Sequence, residues 1–557
     1  MEYSKLAETY QELESTQKTL EKTSILAELF REAGEDLPEV VLLSLGRPYP
    51  SWKAHEIGIS SKMMVDVISQ ATGHSEDEVE ELWKEKGDLG SAAEEMVGKK
   101  TQQRLMAQEL TVEKVMSRIR KVAEKEASGI SESVSQDKKK KEIAGLISSA
   151  DPLEARYVTR TVLQTLRLGV AEGIIRDALS EAFFDGEHPE EIQRGFDVTN
   201  DFAEVAEACT RGLEAVESLE MELFRPVNSM LAKKVDTIEE GFEEVGEPAA
   251  IDYKYDGMRA QIHLEEDEVA VFTRRLEDVT EQFPDVEEAV REHVDAERAV
   301  IDTEVVAYDP EDGSTIPFQK LSRRIKRKYD IQKMKKEIPV EVRPFDLIYL
   351  DEPLLSVPYS ERWRRLGEIV EENDQELTLV DHRQTSEEEE VSSMQQRALD
   401  EGHEGIMMKA LDRGYRPGSR VGYMVKLKPV METLDLAIVG GEWSEGRRSG
   451  WIGSLTLGCY NEERGEYQEV GKMATGLTDE QLQEITDRLE PLIVDEEGRE
   501  VEVKPEVIVE VEYEEIQESP HYSSGYALRF PRLKQFRDDK KEPDSKEKVK
   551  ELYNDQN

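Results

Sequence analysis

The sequence predicts a multidomain fold: an all-α N-terminal region, an α+β central domain and a small C-terminal β-barrel. Three observations lead to it. Apolar residues recur at three- and four-residue spacing through about the first 220 residues, strand-like segments alternate with helical ones up to about residue 431, and strands then continue with little helix. The predicted domains are residues 1–220, 221–431 and 432–557. A chain of 557 residues is long enough for about three or four domains.

The N-terminal region is predicted to be helical. The helical spacing is clearest in "LAETYQELESTQKTLEKTSILAELF" and "YVTRTVLQTLRLGVAEGIIRDALSEAFF". Between these helices, the polar segment "SGISESVSQDKKKKE" (128–142) predicts a loop. The region has no internal repeat at solenoid periods, so we do not expect a repeat architecture.

The central and C-terminal domains are predicted from short strands. The central segments are "AIDYKYD", "MRAQIHL", "EVAVFTR", "AVIDTEVVAYD", "VRPFDLIYLD", "EGIMMKAL" and "YMVKLKPVM". Helical stretches such as "ERWRRLGEIVEEN" lie between them, which indicates an α+β domain built on antiparallel sheets. The later strands are "LDLAIVGGEW", "GSLTLGCYN", "EVGKMATG" and "VIVEVEYEEI". Roughly five strands in about 125 residues fit a small barrel of the oligonucleotide-binding (OB) type.

The composition is strongly acidic, with 123 Asp and Glu residues against 73 Lys and Arg residues and a net charge of −50. An acidic protein can avoid nucleic acid and prefer basic partners. Alternatively, the acid can cover every surface, as in proteins that stay hydrated in a concentrated-salt cytoplasm. Acidic residues here occur in almost every helix and loop and form no separate tail, which favours the second interpretation.

Cysteine count and hydropathy exclude several classes of protein. Cys209 and Cys459 are too few for a disulfide framework or a four-cysteine zinc site. No apolar run approaches the roughly 18 residues of a membrane span. The N-terminus "MEYSKLAETYQELEST" lacks the apolar core of a signal peptide. We therefore expect a soluble cytoplasmic protein that does not interact with membranes.

The segment "DYKYDGMRAQIH" (252–263) contains the first candidate for chemistry. Lys254 stands at the end of a predicted strand, and Gly257 would let the backbone turn sharply. An ordinary lysine has a pKa of about 10.4, so the amine must be made neutral before it can attack phosphorus. The pattern Lys-x-Asp-Gly alone is weak, and taken by itself it favours an exposed ion pair between Lys254 and Asp256 on an edge strand.

Three further segments carry polar or aromatic residues within predicted strands. Glu304 lies in an apolar run, where it either faces solvent or binds a metal ion or a ribose hydroxyl. Phe345, at a strand start, is either core or a platform for a purine. Alternation puts Lys426 and Lys428 on one face of a strand, where two cations repel each other unless an anion lies between them.

Together these segments resemble the ordered motifs of the covalent nucleotidyltransferases, and more closely the ATP-dependent DNA ligases of the archaeal and eukaryotic replicative type. The resemblance covers nearly the whole chain. The motifs are "KYDG" at 254–257, "DTEVVAYD" at 302–309, "FDLIYLD" at 345–351, "EGIMMK" at 404–409, "VKLKPVM" at 425–431 and "RFPRLKQFRDDK" at 529–540. Further similar segments are "LRLGVAEGIIRDALS", "VNSMLA" and "FTRRLEDVTEQFPDV".

The resemblance implies a role for each matching residue. Lys254 would attack the α-phosphate of ATP and hold AMP as a phosphoramidate. Phe345 would stack on adenine, Glu304 would contact the ribose, and Lys426 with Lys428 would neutralise phosphate. The full implied nucleotide-binding set is Asp252, Arg259, Arg274, Glu304, Phe345, Arg420, Lys426, Lys428, Arg529 and Arg532, the last two reaching over the triphosphate from the C-terminal barrel.

The resemblance also implies cofactors and partners. Glu404, with Glu304, would organise a divalent metal ion, Mg²⁺ or Mn²⁺. The implied partners are nicked double-stranded DNA and a sliding clamp, although the sequence contains no convincing clamp-binding peptide. We expect a monomer and, from the acidic composition, a halophilic archaeon as the source.

Three positions depart from the usual family pattern. Asp252 stands where glutamate is usual, which puts the direct contact to adenine in doubt by one methylene. Thr303 replaces a glycine, and Met424 replaces a tryptophan. None of these changes removes a reacting group.

The segment "SRRIKRKYDIQKMKK" (322–336) carries eight basic residues and one acidic residue, a net charge of +7. Such a run is often a solvated helix face, but in this acidic chain we expect it to contact DNA. The predicted DNA-binding residues are Arg323, Arg324, Lys326, Arg327 and Lys328. The segment "RFPRLKQFR" adds four further cations.

Three alternatives share parts of the pattern. RNA ligases and mRNA-capping enzymes have the lysine motif but generally lack the large helical N-terminal region. NAD-dependent ligases usually have a four-cysteine zinc site, which two cysteines cannot form. A non-catalytic DNA-binding scaffold would be expected to have lost at least one of the reacting groups, all of which are present.

Overall fold

A computed structural model describes residues 1–50, 52–53, 57–99, 109–127, 132–311, 313–325, 329–427, 432–444, 448, 450–474 and 476–556. The chain divides into two compact units, Met1–Lys428 and Pro429–Asn557, and each is described by itself. None of the described helices is long and apolar enough to span a membrane.

The N-terminal part of the first unit is helical, as predicted. Its helices are α1 (Tyr3–Ser15), α2 (Thr19–Glu32), α3 (Leu37–Ser44), α4 (Ser61–Thr72), α5 (Glu76–Lys86), α6 (Leu89–Gly98), α7 (Val112–Ala127), α8 (Glu132–Ser149), α9 (Pro152–Val162), α10 (Glu172–Phe184), α11 (Pro189–Thr199), α12 (Phe202–Arg211) and α13 (Leu213–Glu217). Ser75 and Asp151 each begin a helix with a capping box, which satisfies backbone N–H groups that have no partner in the first turn. The apolar faces of these helices pack into a common core.

The loop predicted at residues 128–142 is wrong from residue 132 onward, because α8 begins there. Residues 128–131 lie outside the described part of the chain. Lysine, glutamate and glutamine are good helix formers, so a polar run can form the solvent-facing turns of a helix. The second half of α8 buries Ile143, Leu146 and Ile147, and this apolar edge positions the polar turns before it.

The central part of the chain alternates strands and helices, as predicted. The elements are β1 (Leu231–Val235), α14 (Ile238–Val245), β2 (Ala249–Lys254), β3 (Met258–Glu265), β4 (Glu268–Thr273), α15 (Pro284–His293), β5 (Arg298–Tyr308), β6 (Thr315–Ile316), α16 (Phe318–Ile325), α17 (Ile331–Glu337), β7 (Val340–Leu350), β8 (Glu352–Pro353), α18 (Tyr359–Ile369), β9 (His382–Thr385), α19 (Glu388–Asp400), β10 (Gly405–Ala410) and β11 (Arg420–Leu427).

Two sheets organise this central part. The five-stranded sheet has the order β1-β11-β10-β2-β9, and the six-stranded sheet has the order β4-β3-β5-β7-β8 with β6 paired to β5. The pairs are antiparallel, as predicted, except that β1 runs parallel to β11. This pair joins strands that are far apart in sequence, so no local pattern could give its direction.

The second unit is rich in strands but contains more helix than predicted. Its elements are β12 (Leu434–Trp443), β13 (Ile452–Asn461), β14 (Glu466–Met473), α20 (Asp479–Leu489), β15 (Ile493–Glu497), β16 (Glu500–Val503), β17 (Ile508–Glu512), β18 (Glu515–Glu518), β19 (Tyr526–Arg529), β20 (Arg532–Phe536) and α21 (Lys546–Gln556). The described strands form a seven-stranded sheet and a separate β18–β19 hairpin rather than one closed barrel. Helix α20 packs Leu482, Ile485 and Leu489 into the core of this unit.

Candidate active site

The five-stranded sheet has one apolar face and one polar face. Ile251, Tyr253, Ile406 and Met408 pack into a core with side chains of α14 and α19. Because side chains alternate along a strand, the residues between them point to the opposite face. This opposite face, here called the polar face, carries Asp252, Lys254, Met407, Lys409 and Lys426.

Lys254 is the last residue of β2, and its partner is Glu404, the residue before β10. Its Nζ atom lies 2.6 Å from Oε2 of Glu404, and the Glu404 backbone N–H donates to the Lys254 carbonyl at 2.9 Å. Both side chains are about one-fifth exposed. The ion pair considered from the sequence was with Asp256, and that pairing is wrong. The Asp256 carboxylate instead accepts a hydrogen bond from the Phe318 N–H at 3.1 Å, at the start of α16.

Gly257 is needed for a close approach between strands rather than for a sharp turn. A Cβ atom at this position would lie 2.6 Å from the Val305 carbonyl oxygen and 2.9 Å from Cγ of Glu304. Real side chains do not approach this closely, so only glycine fits here. The contact brings Glu304, on β5 of the six-stranded sheet, to the loop that follows Lys254.

Glu304 is half-buried, and its acidity is unusual. Burial raises the pKa of its carboxyl to about 7, the positive charges of Lys254 and Arg259 oppose this rise, and the carboxylates of Glu404 and Asp256 add to it. These four charges surround Glu304, so the two sheets contribute to one site. A carboxyl that is costly to ionise in the free protein is a suitable ligand for a cation that arrives later.

Replacing Glu304 with glutamine is expected to stabilise the metal-free, nucleotide-free protein above pH 7. A folded-state pKa of about 7, above the ordinary 4.5, means that the folded form holds its proton more tightly. The wild type therefore loses stability as the pH rises from about 4.5 to 7, and the loss is complete above that window. Glutamine has no proton to lose, so the gain at pH 8 should be about 3 kcal/mol at most, with little gain at pH 4.5.

The check is chemical unfolding in EDTA at both pH values. Glu304→Asp is the matched control, because it keeps an ionisable group at the same position. An equal effect of Glu304→Gln at pH 4.5 and pH 8 would show that burial of this carboxyl does not control the stability.

Three predicted arginines lie around Glu304. Arg259 donates to Oδ2 of Asp302 at 2.7 Å, and its guanidinium lies 5.2 Å from the centre of the Phe345 ring. Partial desolvation and the positive charges of Arg259 and Arg420 lower the pKa of Arg274, while Glu304 opposes this change. Arg274 and Arg420 are exposed. The site therefore concentrates positive charge that an anionic ligand would neutralise.

Asp252 and Phe345 lie close together, but Phe345 is not at the strand position that the sequence suggested. Phe345 is in the middle of β7 rather than at a strand start. Asp252 is only 2% exposed, and its carboxylate lies 2.6 Å from Lys409 Nζ and 2.6 Å from His382 Nδ1. Burial alone would raise the pKa of Asp252, but the charges and hydrogen bonds of Lys409 and His382 hold it below its usual range.

The remaining predicted ligands are only partly described. Lys426 is half-buried on the polar face, paired in register with Met407 of β10. Lys428 lies outside the described residues. In the second unit, Nη1 of Arg529 lies 3.0 Å from Oε2 of Glu515, and Arg532 is exposed at the start of β20.

Two of the five predicted DNA-binding residues are described by the structure, and one of them is exposed while the other is buried. Arg323 is exposed on α16, whereas Arg324 is 1% exposed. Arg324 donates to Asp285 at 2.8 Å and to the backbone carbonyls of Gln282 and Ile338, both at 3.0 Å. The prediction that Arg324 contacts DNA is therefore wrong, because its guanidinium is used inside the domain. Lys326, Arg327 and Lys328 lie outside the described residues.

Several residues of the site were missed from the sequence. They are His382, Lys409, Asp302, Tyr359 and Tyr415. Two of them gave a signal that could have been used. Lys409 and Asp302 are charged residues inside apolar strands, and Asp302 also lies two residues before the predicted ligand Glu304, on the same strand face.

The site combines a strand-end lysine, two carboxylates, a half-buried aromatic ring and clustered arginines. It is the arrangement expected of a covalent nucleotidyltransferase, in which fixed cations stabilise phosphate and a lysine forms the covalent bond.

Three family models match the chain in order. The descriptions are "DNA ligase N terminus" for residues 2–180, "ATP dependent DNA ligase domain" for residues 229–428 and "ATP dependent DNA ligase C terminal region" for residues 448–540. The DNA ligase of Thermococcus fumicolans is 43% identical over 558 residues, which cover 99% of this chain and 98% of that protein. The DNA ligase of Methanopyrus kandleri is 44% identical over 559 residues and 99% of each chain. The chain belongs to the family of ATP-dependent DNA ligases.

A solved structure supports the fold alone. The protein named Pmar-Lig_PreS3 has a TM-score of 0.61 with 17% identity, over 96% of this chain and 99% of that chain. The predicted fold class is confirmed: a helical N-terminal domain, a central adenylation domain and a C-terminal OB-type domain. The domain boundaries at 220/221 and 431/432 stay predictions.

Family membership confirms the predicted enzyme: an ATP-dependent DNA ligase of the archaeal type, which seals nicks in duplex DNA. It also implies the use of ATP and a divalent metal ion. Family membership therefore favours a DNA ligase over the alternatives of an RNA ligase, a capping enzyme and a non-catalytic scaffold.

Proposed function

We propose that Lys254 is the nucleophile that takes AMP from ATP. The observation that carries this proposal is the position of its Nζ atom, 2.6 Å from Glu404 at the end of β2 and opposite Glu304. In this arrangement the amine is engaged by a carboxylate, and it must leave that pair and lose a proton before it attacks. Its lone pair then forms a bond to the α-phosphorus, and the bond from that phosphorus to pyrophosphate breaks.

The surrounding residues would bind the nucleotide. Phe345 is proposed to stack on adenine and Asp252 to contact its edge, while Glu304 contacts the ribose. The cations would bind phosphate, with Arg as the better clamp because it donates in a planar fork. These cations are Arg259, Arg274, Arg420, Lys426 and Lys428, with Arg529 and Arg532 from the C-terminal domain.

Glu304 and Glu404 are the proposed ligands of the divalent metal, Mg²⁺ or Mn²⁺. Carboxylate oxygens suit these hard cations, and the two carboxylates are near enough for the charge of Glu404 to raise the pKa of Glu304. When bound, the metal would neutralise charge that develops on the phosphates. Engaging Glu404 in this way would also release Lys254 from its ion pair.

The later steps would use the same residues. A 5′-phosphate oxygen of the nick attacks the AMP phosphorus, the phosphorus–nitrogen bond breaks and Lys254 regains its proton. The neighbouring 3′-hydroxyl then attacks the 5′-phosphate and AMP leaves. The exposed Arg323 on α16 is a proposed DNA contact, joined to the site because Asp256 accepts the N–H of Phe318 at the start of that helix.

The test is an intact-mass measurement in high salt with the metal ion, followed by addition of nicked DNA. The protein should gain one AMP from ATP, map it to Lys254, and lose it when the nick is added. A folded, nucleotide-free sample that gains no AMP would exclude the proposal. The same experiment with Mg²⁺ and Mn²⁺ in turn identifies the preferred metal.

We further propose that the protein works in a concentrated-salt cytoplasm, as a monomer with a sliding clamp as partner. The charge supports the first point, because a net −50 is spread over helices of both units. Helix α5 in the first unit begins with three consecutive acidic residues, and helix α20 in the second unit begins with two. The clamp is supported by family resemblance alone.

Stability is expected to rise with salt concentration. Repulsion between acidic surfaces falls as the Debye length shrinks from about 10 Å at 0.1 M to about 3 Å at 1 M. Thermal unfolding followed by circular dichroism between 0.2 and 3 M KCl checks this. Full folding and a sharp activity optimum below physiological ionic strength would contradict the halophilic interpretation. DNA affinity should fall only moderately with salt, since counterion release contributes little at high concentration.

A further inference from the structure

Lys409 contacts both residues that are proposed to recognise adenine. Its Nζ atom lies 2.6 Å from Oδ2 of Asp252, 4.9 Å from the centre of the Phe345 ring and 3.4 Å from the Phe345 carbonyl oxygen. The side chain is 7% exposed. A buried ammonium is costly unless it is paired, so this lysine is held for its contacts rather than for solubility.

Asp252 has three donors around its carboxylate. Lys409 and the Tyr359 hydroxyl, which donates at 3.2 Å, reach Oδ2, while Nδ1 of His382 lies 2.6 Å from Oδ1. His382 is itself fixed by stacking on Trp363, with ring centres 4.1 Å apart. These contacts keep Asp252 ionised and fix the direction of both oxygens.

An ionised carboxylate can accept hydrogen bonds but cannot donate them. Among the described residues, Oδ1 has His382 as its single hydrogen-bond partner, so it keeps an acceptor position for a ligand. The 6-amino group of adenine is a donor and matches that position. A 6-oxo group, as in hypoxanthine, is an acceptor and would meet a like charge. The preference for a 6-amino purine therefore depends on Asp252 staying ionised and oriented.

We propose that Lys409, assisted by His382, is a positioning residue that sets the preference for 6-amino over 6-oxo purine nucleotides. Lys409 acts through Asp252 and Phe345 and does not need to touch the nucleotide. This inference rests on the proposed roles of those two residues in binding adenine.

The experiment compares ATP with ITP, which differs at the 6-position of the purine. Steady-state pyrophosphate release with excess nicked DNA is measured against nucleotide concentration for the wild type and Lys409→Met, which keeps the length of the side chain and removes its charge. We expect KM for ATP to rise at least tenfold and the ratio of kcat/KM for ATP over ITP to fall at least tenfold. Lys409→Arg should recover part of that ratio.

His382→Phe provides a second variant, since it keeps a ring against Trp363 but has no Nδ1 donor. The ratio of kcat/KM for ATP over ITP should also fall in this variant, and this result decides the question if Lys409→Met does not fold. Equal losses with ATP and ITP in a folded variant would overturn the inference, because general damage to the site does not discriminate between them. Absence of pyrophosphate release from wild type would instead count against the proposed nucleophile, so the two failures are distinguishable.

Discussion

Replacing Lys254 with alanine is expected to abolish AMP transfer from ATP to the protein. Alanine has no amine, and the neighbouring cations are fixed in other contacts: Lys409 is buried against Asp252, and Arg259 is paired with Asp302. The loss of sealing with ATP should be on the order of 10⁴-fold or more, because the reaction has no covalent intermediate without the nucleophile. Intact mass and gel-based sealing assays measure both effects.

Lys254→Arg separates charge from nucleophilicity. Arginine can keep the ion pair with Glu404, but it stays protonated and cannot attack. This variant should therefore fold and bind ATP while gaining no AMP. A nick that already carries AMP bypasses the first two steps, so both variants should seal it far better than they seal an ordinary nick. AMP found on another lysine of Lys254→Ala would show that Lys254 is not the nucleophile.

The strands around the site were predictable because the alternation of their side chains is local. Glu304 interrupts an apolar segment, and Glu304 and Phe345 each lie in the strand that was predicted for them. The ordered motifs then gave the domain order. The parallel pairing of β1 with β11 was not predictable. The two strands are distant in sequence, and no local sequence pattern distinguishes a parallel from an antiparallel partner.

The partners of the reacting groups could not be read from the sequence. Lys254 is two residues from Asp256, yet it pairs with Glu404, the residue before the neighbouring strand β10. Asp252 likewise meets its two close neighbours, His382 and Lys409, only through strand pairing on both sides of β2. Charge pairing inside a sheet follows register, and register is a property of the folded chain.

The exposure of the arginines in the basic run at 322–336 also could not be predicted from the sequence. Arg323 and Arg324 are adjacent and chemically identical, but on α16 they point in different directions, one to solvent and one to the core. Composition predicts a positive surface from both residues. Only packing of α16 against α15 and its preceding turn decides which arginine can reach a ligand.

Charge reversal at Arg324 is expected to destabilise the central domain, whereas the same change at Arg323 is not. Arg324→Glu removes four hydrogen bonds, two of them to Asp285, and the stacking of the guanidinium on Phe283, at 4.5 Å, and it places a carboxylate beside Asp285. Breaking a buried pair costs about 3 to 5 kcal/mol, a large part of the stability of a typical domain. Arg323→Glu, on an exposed position, should stay within about 0.5 kcal/mol of wild type.

The matched pair therefore separates folding from DNA binding. Chemical unfolding should show the loss for Arg324→Glu alone, while nick affinity of the folded Arg323→Glu variant should fall and its dependence on salt should weaken by about one phosphate contact. If Arg324→Glu unfolded like wild type, its burial would not contribute to stability. If Arg323→Glu bound nicks like wild type, α16 would not be part of the DNA surface, and the positive charge of this run would serve the fold through Arg324.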